Sequence, residues 1–282
     1  MSVALGAARP DGPTDAAPAG GPGRAGARPA SRAAPGARAR RVADSRVDQQ
    51  PAFVLHSYPW RETSLIIDAM TRDFGRVALV ARGAKRPTSQ FRGLLAPFAP
   101  ISVSWSGRAE IKSLIRAEWV GGLAPLRGEQ LLTAFYLNEL LVRLLARDDP
   151  HDELFFAYAR TLRALSLERP QREQALRGFE LDLLREIGVA PAFDSMADGG
   201  AIDPESWYRV DPEQGVRWVA EPSAPGADYC VSGRSMQALA ERDLEAVAAA
   251  RDARALLRQL IGYHLRGRPL NTHRILADLR KL

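Results

Sequence analysis

AFVLH (residues 52–56), TSLIIDAM (63–70), RVALVAR (76–82), ISVSW (101–105) and IKSLIRAEW (111–119) are five runs of strand length, rich in Val, Ile and Trp. Turn residues cut them: Tyr58-Pro59, Asp73 to Gly75, Pro87, Pro97, Pro100 and Ser106-Gly107. Apolar or alternating runs bounded by Pro and Gly predict strands, and no helix-length periodic segment interrupts them. Five strands in about 70 residues suit a small closed barrel, since closure removes exposed sheet edges, and the five-stranded OB-fold is the economical solution.

The strand period sorts the faces. Val77, Leu79 and Ala81 fall on one side of RVALVAR, with Arg76, Ala78, Val80 and Arg82 on the other; Ile101, Val103 and Trp105 oppose Ser102 and Ser104. The first set in each run is expected to line the barrel. Between the third and fourth strands, RGAKRPTSQFRG (82–93) puts Arg82, Lys85, Arg86 and Arg92 in one loop without an acidic residue, so this loop is expected to bind an anion. Gly83 and Pro87 are expected to keep it irregular, and Lys112 and Arg116 on the last strand extend the cationic surface. Trp60, Phe91 and Trp105 are the aromatics able to stack on bases. Large aromatics are mostly buried, so core packing is the preferred account of each and none is assigned a stacking role.

After Gly121-Gly122 the period changes. EQLLTAFYLNELLVRLLAR (129–147) repeats Leu137, Leu140, Leu141, Leu144 and Leu145, which predicts a helix with one buried side. Asp148 to Glu153 resembles a metal cluster at first sight, but a helix start explains it more simply: Asp149 caps, Pro150 occupies the first turn and the acids complement the helix dipole. Helices are expected over residues 153–167 and 172–187, the latter with Leu176, Phe179, Leu183, Leu184 and Ile187 on its apolar face and Arg177 beside it. Residues 189–232 read as an irregular insert with a small hairpin around Asp211 to Gly215, held by Trp207, Tyr208, Trp218 and Tyr229 packing on the helices. Three helices, over about 232–250, 252–265 and 272–282, are expected to finish the chain. The fold class is therefore α+β: a tail over 1–50, a barrel over 51–122 and a helical domain over 123–282 that carries the insert.

The net charge of +6 is unevenly spread. Residues 1–50 hold eight Arg and four Asp, residues 51–125 hold ten Lys or Arg and five acids, and the remainder is acidic on balance. A localised basic barrel is what a phosphate backbone requires, although a solvated surface would also be charged. The first 50 residues are Ala, Gly, Pro and Arg with few large apolar side chains, so disorder is expected there. No apolar stretch follows Met1, so a secretory signal is not expected, and no run has the length of a membrane span. One cysteine, Cys230, excludes a disulfide framework and a thiolate metal site, which suits a reducing cytoplasm. His264 and His273 are separated by a Gly-Arg-Pro break and lack metal-pair spacing.

FVLHSYPWRETSLIIDAMTRDFGRVALVARGAKRP (53–87), FRGLLAPFAPISVSWSGRAEIKSLIRAEW (91–119), YLNELL (136–141), LRGFELDLLREIG (176–188) and IGYHLRGRPLNTHRIL (261–276) occur in one order along the chain. In that order they resemble the RecO family of recombination mediators, from about Phe53 to the C-terminus. The resemblance implies a cytoplasmic, nucleoid-associated protein of DNA repair and homologous recombination. Such a protein binds single- and double-stranded DNA, anneals complementary strands, engages SSB and RecR, and helps RecA load onto coated single strands. The resemblance also implies a role for Arg177, with Leu176 and Phe179 beside it, in holding the acidic, hydrophobic C-terminal tail of SSB. Family members often carry a second arginine where this chain has Gly178. Many relatives hold a structural zinc through four cysteines in the insert; only Cys230 remains here and no His lies between Val189 and Ser232, so no zinc and no other cofactor is expected.

No Walker A loop, GxSxG elbow, HExxH or two-metal carboxylate cluster is present, so nothing argues for an enzyme. Two other classes stay in view. A general OB-type binder of single-stranded RNA or DNA would share the barrel but has no reason to carry the helical motifs. A nuclease would show metal-dependent cleavage.

Overall fold

A computed structural model describes residues 46–220 and 228–272. The expected tail, apart from its last five residues, and the expected closing helix from residue 273 on, with His273, lie outside the described residues. Strands β1 (Arg46–Trp60), β2 (Ser64–Thr71), β3 (Gly75–Ala81), β4 (Pro100–Ser106) and β5 (Ile111–Trp119) close into a barrel in the order β1-β2-β3-β5-β4. Every neighbouring pair is antiparallel except β3 with β5. This is the OB-type barrel expected from the five runs.

Its interior follows the strand period. Val77, Leu79, Ala81, Ile101, Val103 and Trp105 are all buried in one cluster with Ala52, Val54, Ile67 and Ala69. The continuous apolar character of AFVLH has a different cause: Ala52 and Val54 face the barrel core, while Phe53 and Leu55 join the helical core. A strand buried on both faces needs no alternation. The register of β1 against β2 slips between Val54 and His56, so Leu55 is a bulge. Its carbonyl accepts from Asn138 Nδ2 at 2.8 Å, and Tyr158 Oη donates to Asn138 Oδ1, so the buried amide has partners on both sides.

Two features of β1 depart from expectation. Residues 46–50 belong to the barrel and not to the tail: Arg46 pairs with Ser106, Val47 with Trp105 and Gln50 with Val103. Main-chain pairing and the Gln49 N–H bond to Ser104 Oγ at 3.0 Å hold this segment, which apolar patterning does not reveal. Nor does β1 stop at Tyr58-Pro59. Beyond Phe53 it pairs only with β2, and Pro59 is tolerated because that edge needs no further donor.

The helical part comprises α1 (Glu129–Leu144), α2 (Asp152–Ala164), α3 (Arg169–Glu186), α4 (Gly233–Glu241), α5 (Leu244–Ala249) and α6 (Arg251–His264). Leu137, Leu140, Leu141, Leu154, Phe179, Leu183, Leu184, Leu256 and Leu257 share its core with Phe53, Leu55 and Met70 of the barrel wall. Asp149 does not cap α2. The helix begins after His151, so Pro150 lies before it and not in its first turn, and no side chain makes a capping bond there, whereas Asp152 and Glu153 occupy the first turn, where acids complement the dipole. The single helix expected over 232–250 is two, because Arg242 adopts a left-handed conformation (φ 60°) and Asp243 caps α5 by accepting from Ala246 N–H at 3.1 Å.

The insert contains the expected hairpin. Strands β6 (Trp207–Asp211), β7 (Gly215–Val219) and β8 (Cys230–Ser232) form a sheet in the order β7-β6-β8, and Asp211 Oδ1 ties the turn by accepting from Glu213 and Gln214 N–H at 2.8 and 2.9 Å. Tyr208, Val210, Val216, Cys230 and Val231 are buried, and Trp207 and Tyr229 half-buried. Trp218, on edge strand β7, stays 57% exposed and does not pack as expected.

Candidate nucleic-acid interface

The two ends of β3 do different work. At its start, the β2–β3 turn meets the segment between α1 and α2: Asp148 N–H donates to the Arg76 carbonyl at 2.9 Å, and Lys112 Nζ lies 2.6 Å from Asp148 Oδ1. Beside them Asp68, only 5% exposed, sits 3.7 Å from Arg76 Nε and 3.4 Å from Arg147 Nη2, while Arg147 also pairs with Glu110. Burial lowers the Arg76 pKa below the ordinary arginine value, against the pull of Asp68. Burial opposes the Arg147 charge as well, but Asp68 and Glu110 outweigh it and raise its pKa. These cations hold the barrel to the helices.

At the far end of β3, about 20 Å away at strand rise, the basic loop begins. It is not irregular. Arg86 N–H donates to the Gly83 carbonyl, Ser89 to Arg86, Arg92 to Ser89 and Leu94 to Phe91, at 3.0 to 3.2 Å, so the loop is a run of linked turns. Phe91, Ala84 and Leu95 insert into the barrel core and anchor it from below. Lys85 N–H donates to the Thr63 carbonyl at 2.9 Å and Gly83 N–H to Ser64 Oγ at 3.4 Å, which fixes the loop to the β1–β2 hairpin. Arg82, Lys85, Arg86 and Arg92 are all exposed on this frame. The structure therefore brings the four loop cations onto one preorganised, acid-free element.

The other two candidates fare differently. Lys112 is spent on Asp148, with its side chain 14% exposed, and belongs to the joint between barrel and helices. Arg116 is exposed and lies 2.5 Å from Glu118. Its neighbour Ile115 accepts from Gln90 Nε2 at 3.3 Å, which ties β5 to the loop. Of the aromatics, Phe91 and Trp105 are core residues, as the preferred account had it, but Trp60 is 43% exposed at the hairpin. Sequence reasoning missed its setting, although the spacing of His56, Tyr58 and Trp60 along one strand was visible.

On α3 the expected tail slot is largely filled by the protein itself. Phe179 is 1% exposed and packs against Tyr158, Leu183 is fully buried, and Leu176 is partly buried against the same core. Arg177 Nη1 donates to Glu180 Oε2 at 2.6 Å, and Tyr136 Oη donates to Glu180 Oε1 at 2.8 Å. Burial, then the Glu180 carboxylate, push the Tyr136 phenol well above its ordinary pKa, which keeps it a donor. Arg177 is thus first of all the counter-ion of a buried glutamate. Gly178 has a local reason too: a β-carbon there would stand 2.9 Å from Leu244 Cδ1, so α5 packs closely against this position.

Among the described residues no group of three or more His, Cys, Asp or Glu is arranged to hold a metal, and no helix is long and apolar enough to cross a membrane. His264, half-buried, has its pKa lowered by burial.

Comparison with known proteins agrees with this architecture. Residues 46–123 match the family model described as recombination protein O N terminal, and residues 126–274 match recombination protein O C terminal. The chain is 52% identical over 240 residues to DNA repair protein RecO of Ralstonia nicotianae, covering 85% of this chain and 88% of the relative. It is 47% identical over 253 residues to that of Paraburkholderia xenovorans, with 89% and 84% covered. With DNA repair protein RecO of Dechloromonas aromatica it shares 44% over 240 residues, 84% of this chain and 98% of the relative. The barrel, the helical domain and both family matches together show that the chain belongs to the RecO family of DNA repair and recombination proteins.

Proposed function

We propose that this chain is a recombination mediator that binds single- and double-stranded DNA through the 82–93 loop and anneals complementary strands without bond chemistry. The observation that carries the reading is the loop itself: four exposed cations, no acid, and a hydrogen-bonded frame anchored in the barrel by Phe91. A preformed loop backbone leaves only the Arg and Lys side chains to be ordered when phosphates are neutralised, and screened strands can meet. Arg116 stands at the margin of the site, whereas Lys112 acts in the joint.

The helical domain supplies the partner contacts. Family membership supports engagement of the SSB tail and RecR, and assistance to RecA on coated single strands, in the cytoplasm at the nucleoid. For the SSB tail, Arg177 and Leu176 form the rim, with Phe179 as the wall behind them and not as a contact surface. Arg177 then serves Glu180 and the peptide together through its several donors.

The test is an annealing assay on the full chain with complementary strands, bare and SSB-coated, in the presence of Mg²⁺. A mediator accelerates annealing of both and leaves strand lengths unchanged. Acceleration on bare strands alone would reduce the protein to a general OB-type binder, and shortened strands would make it a nuclease.

A further inference from the structure

The outer face of β1, β2 and β3 presents three rows of residues across the strands. The pairings place His56 beside Asp68 and Asp68 beside Ala78, then Tyr58 beside Ile66 and Ile66 beside Val80. Trp60 pairs with Ser64, and one step beyond the Leu65–Ala81 pair brings Arg82 level with Ser64. Inward-facing neighbours confirm the side: Leu65, Ile67, Val77, Leu79 and Ala81 belong to the barrel core.

Each row begins with a ring on β1. His56, Tyr58 and Trp60 follow at every second residue, about 7 Å apart at strand rise. The His56 and Tyr58 rings lie 6.0 Å apart and are tilted by 32°, Trp60 is 43% exposed, and His56 is exposed as well. None of the three rings belongs to either hydrophobic core; His56 and Trp60 are exposed, and Tyr58 is half-buried beside the buried Ile66. Cations bound this face at both ends. Arg82 and Lys85 stand at the hairpin end, where the loop is hydrogen-bonded to Thr63 and Ser64, and Arg76 and Arg147 lie over Asp68 at the other. The acids on this side are Asp68, already matched by two arginines, Glu110, paired with Arg147, and Glu62 in the hairpin turn.

We propose that His56, Tyr58 and Trp60 form a track on which unpaired bases of single-stranded DNA stack, with Trp60 the principal contact and the Arg82–Lys85 side holding the phosphates. The proposal rests on the DNA-binding reading above and adds a source of strand preference to it. Cations bind the phosphates of single and double strands alike, whereas stacking on a side chain needs a base whose face is open. The track therefore favours single strands, and the loop sets general affinity.

The experiment measures dissociation constants of the full chain for a thymine oligonucleotide, for a duplex of equal length and for an oligonucleotide of abasic residues. Trp60→Ala is expected to weaken thymine-strand binding by about tenfold, the loss of one base stack. Duplex and abasic-strand binding should move by less than about twofold, and Trp60→Phe should recover most of the loss, because a smaller ring still stacks. A thermal melt controls for folding, and the exposed position of Trp60 predicts an unchanged midpoint. Equal loss on all three ligands, or no loss on the thymine strand, would overturn the track. The failure of the underlying reading looks different: removal of the loop cations would then leave all three affinities unchanged, whatever Trp60 does.

Discussion

Gly75 lies directly under the carbonyl of Asp149: a β-carbon built on it would stand 1.7 Å from that oxygen, and its φ is +65°. Two backbones meet there, one from the β2–β3 turn and one from the segment before α2, with the Asp148 N–H bond to Arg76 and the Lys112–Asp148 ion pair beside them. Only glycine satisfies both the close approach and the left-handed conformation. The contact seats the helical domain at one end of the barrel and leaves the other end to the basic loop.

Gly75→Ala should therefore separate these backbones at a cost of about 3 kcal/mol, through overpacking and an unfavourable φ. Urea unfolding will read this as a lower midpoint. Equal midpoints for wild type and variant would mean that the joint tolerates a gap and does not fix the domains.

Arg177→Met should destabilise the fold by about 3–5 kcal/mol, because it leaves the buried Glu180 carboxylate without its cation. Combining it with Glu180→Gln should restore much of the loss, since Tyr136 can still donate to the amide oxygen. Denaturation of the two variants tests this. A fully stable single variant would mean that the Arg177–Glu180 pair does not hold the fold.

The barrel was legible because its signal is local: alternation in RVALVAR and ISVSW sorts inside from outside, and the structure keeps that sorting. The loop cations were legible for the same reason, as a run without acids. What was not legible depends on partners far along the chain. Lys112 meets Asp148 36 residues later, and Asn138 reaches the Leu55 carbonyl across 83, so neither residue type at its own position announces the contact. Arg177 is the instructive case. Its partner Glu180 is only three residues away, but the burial of that carboxylate and its second bond, from Tyr136 44 residues earlier, depend on tertiary packing. Residues 46–50 escaped because main-chain pairing to β4 leaves no mark in hydrophobicity.

Asp252 provides a pH dependence. Burial works against its charge, but Ser232 N–H and Oγ at 2.9 and 2.8 Å, Ser235 Oγ at 2.9 Å and Ala253 N–H at 3.0 Å donate to it and hold its pKa below the ordinary aspartate value. A folded-state pKa below the unfolded one contributes stability above the unfolded value and loses it as pH falls through the folded one. Asp252→Asn should thus cost about 1–3 kcal/mol at pH 7, and the difference from wild type should shrink below about pH 4. Melting curves across pH check it; a gap that stays constant down to pH 3 would assign the bonds no linkage to charge.

The salt dependence of DNA binding decides whether the loop is the phosphate contact. For a single strand, log affinity against log salt should lose roughly 3 from its slope when Arg82, Lys85, Arg86 and Arg92 are all changed to Ala, at about 0.7 for each phosphate contact removed. The variant should keep its fold, since all four side chains are exposed and the anchoring residues Phe91 and Leu95 remain. A folded quadruple variant that binds with the wild-type slope would contradict the account and move the DNA site off the barrel loop.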